Sequence, residues 1–93
     1  MKASEKTRKE TKKGVDEVSW NEKSLILYND DIHSFDYVIN ALVEICRHDY
    51  TQAAQCTVIT HYKGKCDVKK GSYEKLKPMN EALVDRELSA TID

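Results

Sequence analysis

Hydrophobic residues along the chain fall into short runs whose spacing predicts alternating strands and helices. Residues 24–29 contain an apolar run of the usual length of a buried strand. A polar loop follows at 30–34, and Ser34 at its end is a candidate helix N-cap. From Phe35 to Cys46 the apolar residues recur at steps of three and four, which predicts an amphipathic helix.

A second helix is predicted to begin after Asp49, because Gln52 three residues later completes the pattern of a capping box. It should run to about Tyr62, with Gly64 ending it in a left-handed conformation. Residues 65–69 then fit a short strand.

The last third of the chain predicts one more helix and a closing strand. Ser72 is a candidate cap for that helix, whose start is left open because Pro78 removes a backbone hydrogen bond outside the first turn. Residues 88–92 alternate in polarity and predict a strand. The resulting order, β-α-α-β-α-β, predicts an α/β domain with one small sheet covered by helices on one face.

Charge is divided unevenly between the start of the chain and the rest. The 93 residues, 40% of them apolar, allow one small domain. Residues 1–13 hold six basic and two acidic side chains, a net charge of +4, and the remaining residues carry a net charge of −5. We therefore predict a flexible basic N-terminal extension at 1–22 and a folded domain at 23–93.

Several classes of location and partner are disfavoured by the sequence. No apolar stretch approaches the ~20 residues of a membrane span, and no secretory signal is visible, so we expect a cytoplasmic protein that binds no membrane. The overall charge of −1 gives no general attraction for nucleic acid. We also expect a monomer in isolation.

Three cysteines, Cys46, Cys56 and Cys66, are spaced ten residues apart. An odd number favours reduced thiols over a disulfide scaffold, and the spacing lacks the close pairs of a zinc site. Cys46 and Cys56 are interpreted as small buried hydrophobic residues, and Cys66 is left open. We expect neither a metal ion nor a cofactor.

Polar side chains that could bind a small cation follow the first predicted strand. Asn29, Asp30 and Asp31 offer amide and carboxylate oxygens, and neutral His61 offers a ring nitrogen. An ammonium group, with three donors and a full positive charge, suits such a set of acceptors. The alternatives are that the first three residues form a turn and that His61 binds the last carbonyl groups of its helix.

Catalysis is not indicated by the sequence. It contains no G-x-S-x-G motif and no cysteine flanked by activating residues, and its three glycines form no phosphate-binding loop. We therefore expect a protein that is not an enzyme.

Four segments form a combination more specific than any one of them. They are Leu25-Ile26-Leu27-Tyr28-Asn29-Asp30-Asp31, the helix from Phe35 to Cys46, Gln52-Ala53 with Gln55, and His61-Tyr62-Lys63-Gly64-Lys65. Together they resemble the ClpS adaptor family over residues 24–93. The resemblance implies an α+β sandwich in which a three-stranded antiparallel sheet packs against three helices.

Membership of that family would imply an adaptor function in protein degradation. Such adaptors bind the first residue (Leu, Phe, Tyr or Trp) of N-degron substrate proteins. They deliver these substrates to the N-terminal domain of a ClpA- or ClpC-type AAA+ unfoldase, which feeds the ClpP protease, and so modulate its substrate choice. The alternative is a small interaction domain of similar fold that docks on a protein complex without a degron pocket.

The resemblance also implies roles for individual residues. Residues that would hold the α-amino group are Asn29, Asp30 and His61. Residues that would form the rim and contact the peptide backbone are Asp31 and His33. The side-chain pocket would be lined by Phe35, Val38, Thr57, Thr60 and Leu88.

Three of these pocket positions differ from the commonest bacterial pattern. Phe35 and Thr57 stand where methionine is usual, and Thr60 stands where valine is usual. The resemblance therefore leads us to expect a wider and more polar pocket, which could also admit β-branched first residues.

Overall fold

The computed structural model describes residues 22–93, so the extension predicted at 1–22 lies outside the described residues except for Glu22. In chain order the elements are β1 (Lys23–Tyr28), α1 (Phe35–Cys46), α2 (Tyr50–Lys63), β2 (Lys65–Gly71), α3 (Tyr73–Asp85) and β3 (Ser89–Ile92). The predicted order β-α-α-β-α-β is confirmed.

β1 lies at the centre of a three-stranded antiparallel sheet of order β2-β1-β3. Its side chains alternate, with Leu25 and Leu27 fully buried and Ile26 and Tyr28 only partly so. This alternation follows from the architecture, because side chains on successive residues of a strand point to opposite faces. Asn29 follows directly after the last residue of this strand.

The helix boundaries follow the local chemistry of the sequence. The side chains of Ser34, Asp49 and Ser72 accept backbone N–H groups in the first turns of α1, α2 and α3, respectively, as predicted. Gly64 ends α2 with φ of 91°, in the left-handed region that favours glycine. Pro78 lies inside α3 rather than in its first turn, so the helix tolerates the loss of one backbone bond there.

β2 extends two residues beyond the predicted strand and ends at Gly71. The extra residues are held by pairing, because Lys70 and Gly71 lie opposite Ser24 and Lys23 of β1. Lys70 and Gly71 give no local signal for a strand, so the pairing with β1 extends β2 up to Ser72, the N-cap of α3.

Leucines from the sheet and two helices dominate the core, with Leu25, Leu27, Leu42, Leu76 and Leu83 among the largest fully buried side chains. None of the helices within residues 22–93 combines the length and apolar content that a membrane crossing requires.

All three cysteines are free thiols associated with this core. Cys46 and Cys56 are buried, and Cys66 packs against the core cluster from β2. Burial, with Cys56 alongside, raises the pKa of the Cys66 thiol to about 12. Because thiolates are the reactive form, this raised pKa disfavours nucleophilic chemistry at Cys66. Within the described part of the chain, no three metal-binding side chains are grouped as a metal site requires.

Candidate functional site

A hollow opens where β1 ends, between the loop that leads to α1 and the second half of α2. It has a volume of about 40 Å³, which is room for roughly three water molecules. Eight of the ten site residues expected from the sequence line it, namely Asn29, Asp30, His33, Phe35, Val38, Thr57, Thr60 and His61. These residues are up to 32 positions apart in the chain, and the fold brings them to one place.

Two expected site residues do not line the hollow. Asp31 is exposed in the loop after β1. Leu88 is only 4% exposed and belongs to the main core cluster. Conversely, Leu27 and Tyr28 line the hollow although the sequence interpretation assigned them only to a strand. Their position directly before Asn29 was the signal that could have identified them.

Asn29 and His61 lie at the same rim because the ends of two elements are tied together. The backbone N–H of Asn29 donates to the carbonyl of Gly64 at 2.9 Å. The left-handed conformation of Gly64 turns the chain from α2 into β2, where Lys65 pairs with Tyr28. His61, in the last turn of α2, therefore comes to the edge of the sheet.

The polar groups of Asn29 and His61 are free to bind a ligand. Both residues are exposed, and among residues 22–93 neither the Asn29 side-chain amide nor the His61 ring has a hydrogen-bond partner. Asn29 thus offers a carbonyl oxygen, and a neutral His61 offers one ring nitrogen as acceptor. Of the alternatives considered from the sequence, the turn is formed through the Asp30 side chain, which accepts the backbone N–H groups of Ile32 and His33, whereas the side chains of Asn29 and His61 make no such local hydrogen bond among residues 22–93.

Asp30 organises the loop between β1 and α1. One carboxylate oxygen accepts the backbone N–H groups of Ile32 and His33, both at 2.9 Å, and the other lies 3.0 Å from Nδ1 of His33. Burial opposes ionisation, but the hydrogen bonds from His33 and Ile32 outweigh it, so the pKa of Asp30 lies below its ordinary value. The group remains a carboxylate. Three of its about four acceptor positions are used, which leaves one for a ligand.

The wall of the hollow is apolar despite its two threonines. The hydroxyl groups of Thr57 and Thr60 donate to the carbonyls of Ala53 and Cys56 in their own helix, at 2.8 and 2.7 Å. These hydroxyls are therefore already satisfied, and the methyl groups are what the two residues can offer to a ligand. The two threonines therefore make the pocket less polar than the sequence led us to expect.

Phe35 stands at the mouth of the hollow, at the first residue of α1. It is 44% exposed, and its ring meets the His61 ring edge-on with centroids 5.3 Å apart. An apolar side chain thus lies directly beside the polar rim. The site as a whole combines acceptors for a small cation with an adjoining apolar cleft.

Comparison with known proteins gives two findings. The model of the ClpS family, described as the ATP-dependent Clp protease adaptor protein ClpS, matches residues 21–91. The fold is similar to that of ClpS2 from Agrobacterium tumefaciens, solved bound to L-phenylalaninamide, with a TM-score of 0.68 and 18% identity. That similarity covers 78% of this chain and 95% of the other, and at this identity it concerns the fold alone. None of the curated proteins matches the sequence of this chain.

Proposed function

The chain belongs to the ClpS family of ATP-dependent Clp protease adaptor proteins, and on that basis we propose that it binds the N-terminal residue of N-degron substrates. It would deliver them to a ClpA- or ClpC-type AAA+ unfoldase, by docking on the N-terminal domain of that enzyme, for degradation by ClpP. The observation that carries the proposal is the hollow at which the free acceptors of Asn29 and His61 meet an apolar wall.

The α-amino group of a substrate has the properties that this rim can recognise. It is a cation with three N–H donors, and the acceptors available are Asn29, His61 and the remaining position on Asp30. Asp30 supplies the negative charge, and its lowered pKa keeps that charge in place at neutral pH. An internal lysine side chain also carries an ammonium group, but it has no large apolar group on the adjoining atom to enter the hollow.

The first side chain of the substrate would enter the apolar cleft. Leu27, Val38 and the threonine methyl groups offer the wall, and Phe35 lies at the entrance. A Leu, Phe, Tyr or Trp side chain that enters this small hollow would displace water from it and pack against Phe35. The ligand of the similar ClpS2 structure, L-phenylalaninamide, has this combination of a free α-amine and a large apolar side chain.

The expected affinity suits a protein that must pass its substrate on. Burial of one large apolar side chain contributes about 1.5–3 kcal/mol, and each hydrogen bond to a charged group contributes about 1.5–3 kcal/mol. After the cost of association, a total of about 8 kcal/mol corresponds to a micromolar dissociation constant. Such binding is specific, yet it allows release to the unfoldase. We place this activity in the cytoplasm and expect the free adaptor to be a monomer.

The test is a peptide panel that differs only at the first residue, measured by fluorescence anisotropy. Peptides starting with Leu, Phe, Tyr or Trp should bind, and peptides starting with Asp or Lys should not. Asn29→Ala should weaken binding by roughly 10- to 100-fold, because it removes one hydrogen bond to the ammonium group. Asn40→Ala is the matched control, since Asn40 is exposed on α1 and does not line the hollow.

Peptides that start with Ile or Val extend the same panel to β-branched residues. Binding of these peptides would support a cleft that the two threonines make wider. Equal affinity of Asn29→Ala and wild type for the Phe peptide would contradict the proposed role of the rim.

A further inference from the structure

Tyr37 lies on α1 and does not line the hollow, yet it is held firmly at both ends of its side chain. Its ring stacks on the ring of His33, with centroids 4.7 Å apart and an angle of 18° between the planes. Its hydroxyl donates to the carbonyl of Arg86 at 2.8 Å. We propose that Tyr37 is a positioning residue of the binding site and acts by fixing the His33 ring. This inference rests on the proposed function.

The partner of Tyr37, His33, does line the hollow, and its side chain is only 11% exposed. Its Nδ1 atom lies 3.0 Å from Asp30 Oδ2. Because a carboxylate can only accept, Nδ1 must carry the hydrogen, and in a neutral ring Nε2 is then the acceptor. Among residues 22–93 Nε2 has no hydrogen-bond partner. The contact with Asp30 therefore leaves a free acceptor on a ring that borders the hollow.

Tyr37 determines whether that acceptor stays in position. Asp30 holds the ring at one nitrogen only, and a single hydrogen bond allows the ring to tilt about that point. The stacked Tyr37 ring covers one face of His33 and prevents the tilt. A bound peptide carries N–H groups on its α-amine and on its second residue, about one residue length of ~3.8 Å apart. Nε2 of His33, once fixed, accepts a hydrogen bond from one of these two N–H groups.

The far end of Tyr37 is anchored to a rigid part of the fold. Arg86 follows α3, and its backbone N–H donates to the carbonyls of Ala82 and Leu83. Its guanidinium group binds the carboxylate of Glu44 on α1. The carbonyl that accepts the Tyr37 hydroxyl is therefore fixed by contacts to two helices. Tyr37 is 40% exposed, so its contribution to the core is small and its substitution should leave the fold intact.

The test compares three variants for binding of a Phe-starting peptide. Tyr37→Ala removes both the stacking and the anchor, and it should weaken binding about tenfold. Tyr37→Phe keeps the stacking and should weaken binding by roughly two- to threefold. Tyr73→Ala is the control, because Tyr73 is similarly exposed, at 49%, but lies on α3 and does not line the hollow.

A double-variant cycle separates positioning from a general structural effect. In a His33→Ala background, Tyr37→Ala should cause no further loss, because Tyr37 acts through the His33 ring. A further tenfold loss in that background, or wild-type affinity of Tyr37→Ala, would overturn the inference.

A measurement without peptide keeps this inference separate from the proposed function. The His33 ring should be more mobile in Tyr37→Ala than in wild type, measured by ¹³C relaxation of its Cε1–H group, while its ¹⁵N shifts should report the Nδ1–H form set by Asp30 in both proteins. Equal ring mobility in Tyr37→Ala and wild type would overturn the positioning role. If wild type binds no Phe-starting peptide while the ring becomes more mobile in Tyr37→Ala, the proposed function fails and the fixing of His33 by Tyr37 stands.

Discussion

The substitution Asp30→Asn tests how the loop beside the hollow is held. In the folded protein the Asp30 carboxylate accepts three hydrogen bonds, two from backbone N–H groups and one from the His33 ring. Asparagine keeps one oxygen for the backbone groups but presents an NH₂ group toward Nδ1 of His33, which can accept it only after the ring changes to the Nε2–H tautomer. The two backbone hydrogen bonds then no longer involve a charge, and the bond to His33 is kept only through this change of tautomer.

The magnitude follows from the difference between charged and neutral hydrogen bonds. A bond to a charged group is worth about 1.5–3 kcal/mol and a neutral bond about 0.5–1.5 kcal/mol. The carboxylate side chain is 20% exposed, so water screens part of this difference. We expect Asp30→Asn to lower the free energy of unfolding by about 1–2 kcal/mol at pH 7, and the melting temperature by roughly 4–8 °C per kcal/mol.

The pH dependence of this loss has a definite sign. The pKa of Asp30 is lower in the folded protein than in the unfolded chain. The stabilisation is therefore fully present above the unfolded pKa of about 3.9 and is lost as the pH falls through the folded pKa. The difference in unfolding free energy between wild type and Asp30→Asn should be constant from pH 7 to about 5 and shrink below about pH 4.

Urea denaturation at a series of pH values measures this difference. Asp31→Asn is the matched control, because Asp31 is an exposed neighbour with no hydrogen bond to its carboxylate among residues 22–93. Its substitution should change stability by less than about 0.5 kcal/mol. The reasoning would be refuted if Asp30→Asn were as stable as wild type at pH 7, or if the difference were as large at pH 3 as at pH 7.

Two further substitutions examine the turn and the wall of the hollow. Gly64→Ala should destabilise the fold by about 1–2 kcal/mol in urea denaturation because φ is 91°, although the added Cβ would meet no atom within 4 Å from residues 22–93 beyond its chain neighbours. Gly71→Ala is its control and should be nearly neutral, since the added Cβ meets only the flexible Lys75 side chain; equal effects of the two would contradict the explanation. Thr57→Val should leave the affinity for a Phe-starting peptide within about twofold, because the lost hydroxyl is bound to the Ala53 carbonyl. A tenfold loss in anisotropy titrations would mean that the hydroxyl faces the ligand.

The parts of the fold that depend on local chemistry could be predicted from the sequence. The side chains of Ser34 and Asp49 cap their helices by accepting backbone N–H groups three positions ahead. Gly64 adopts the left-handed backbone conformation, which glycine favours, at the end of α2. The end of β2 could not be predicted, because it depends on pairing with Lys23, 48 positions earlier. Pro78 left the start of α3 open in the sequence, because a proline inside a helix removes one backbone hydrogen bond. In the structure α3 begins at Tyr73 and continues through Pro78.

The candidate site shows the same division between local and distant causes. Asp30 and His33 interact three positions apart, and such a pair could have been found in the sequence. Tyr37 depends on the carbonyl of Arg86, 49 positions away, and no local pattern indicates this contact. The motifs at Asn29 and His61 predicted residues that line the hollow. The positioning role proposed for Tyr37 could be inferred only from the fold.

The most direct measurement of the central claim is the affinity of one Phe-starting peptide with its N-terminus free and with it acetylated. Acetylation removes the positive charge and two of the three N–H donors but leaves the first side chain unchanged. The account predicts micromolar binding of the free peptide and binding weaker by roughly 100-fold or more for the acetylated one. Equal affinity of the two peptides would contradict recognition of the α-amino group at Asn29, Asp30 and His61.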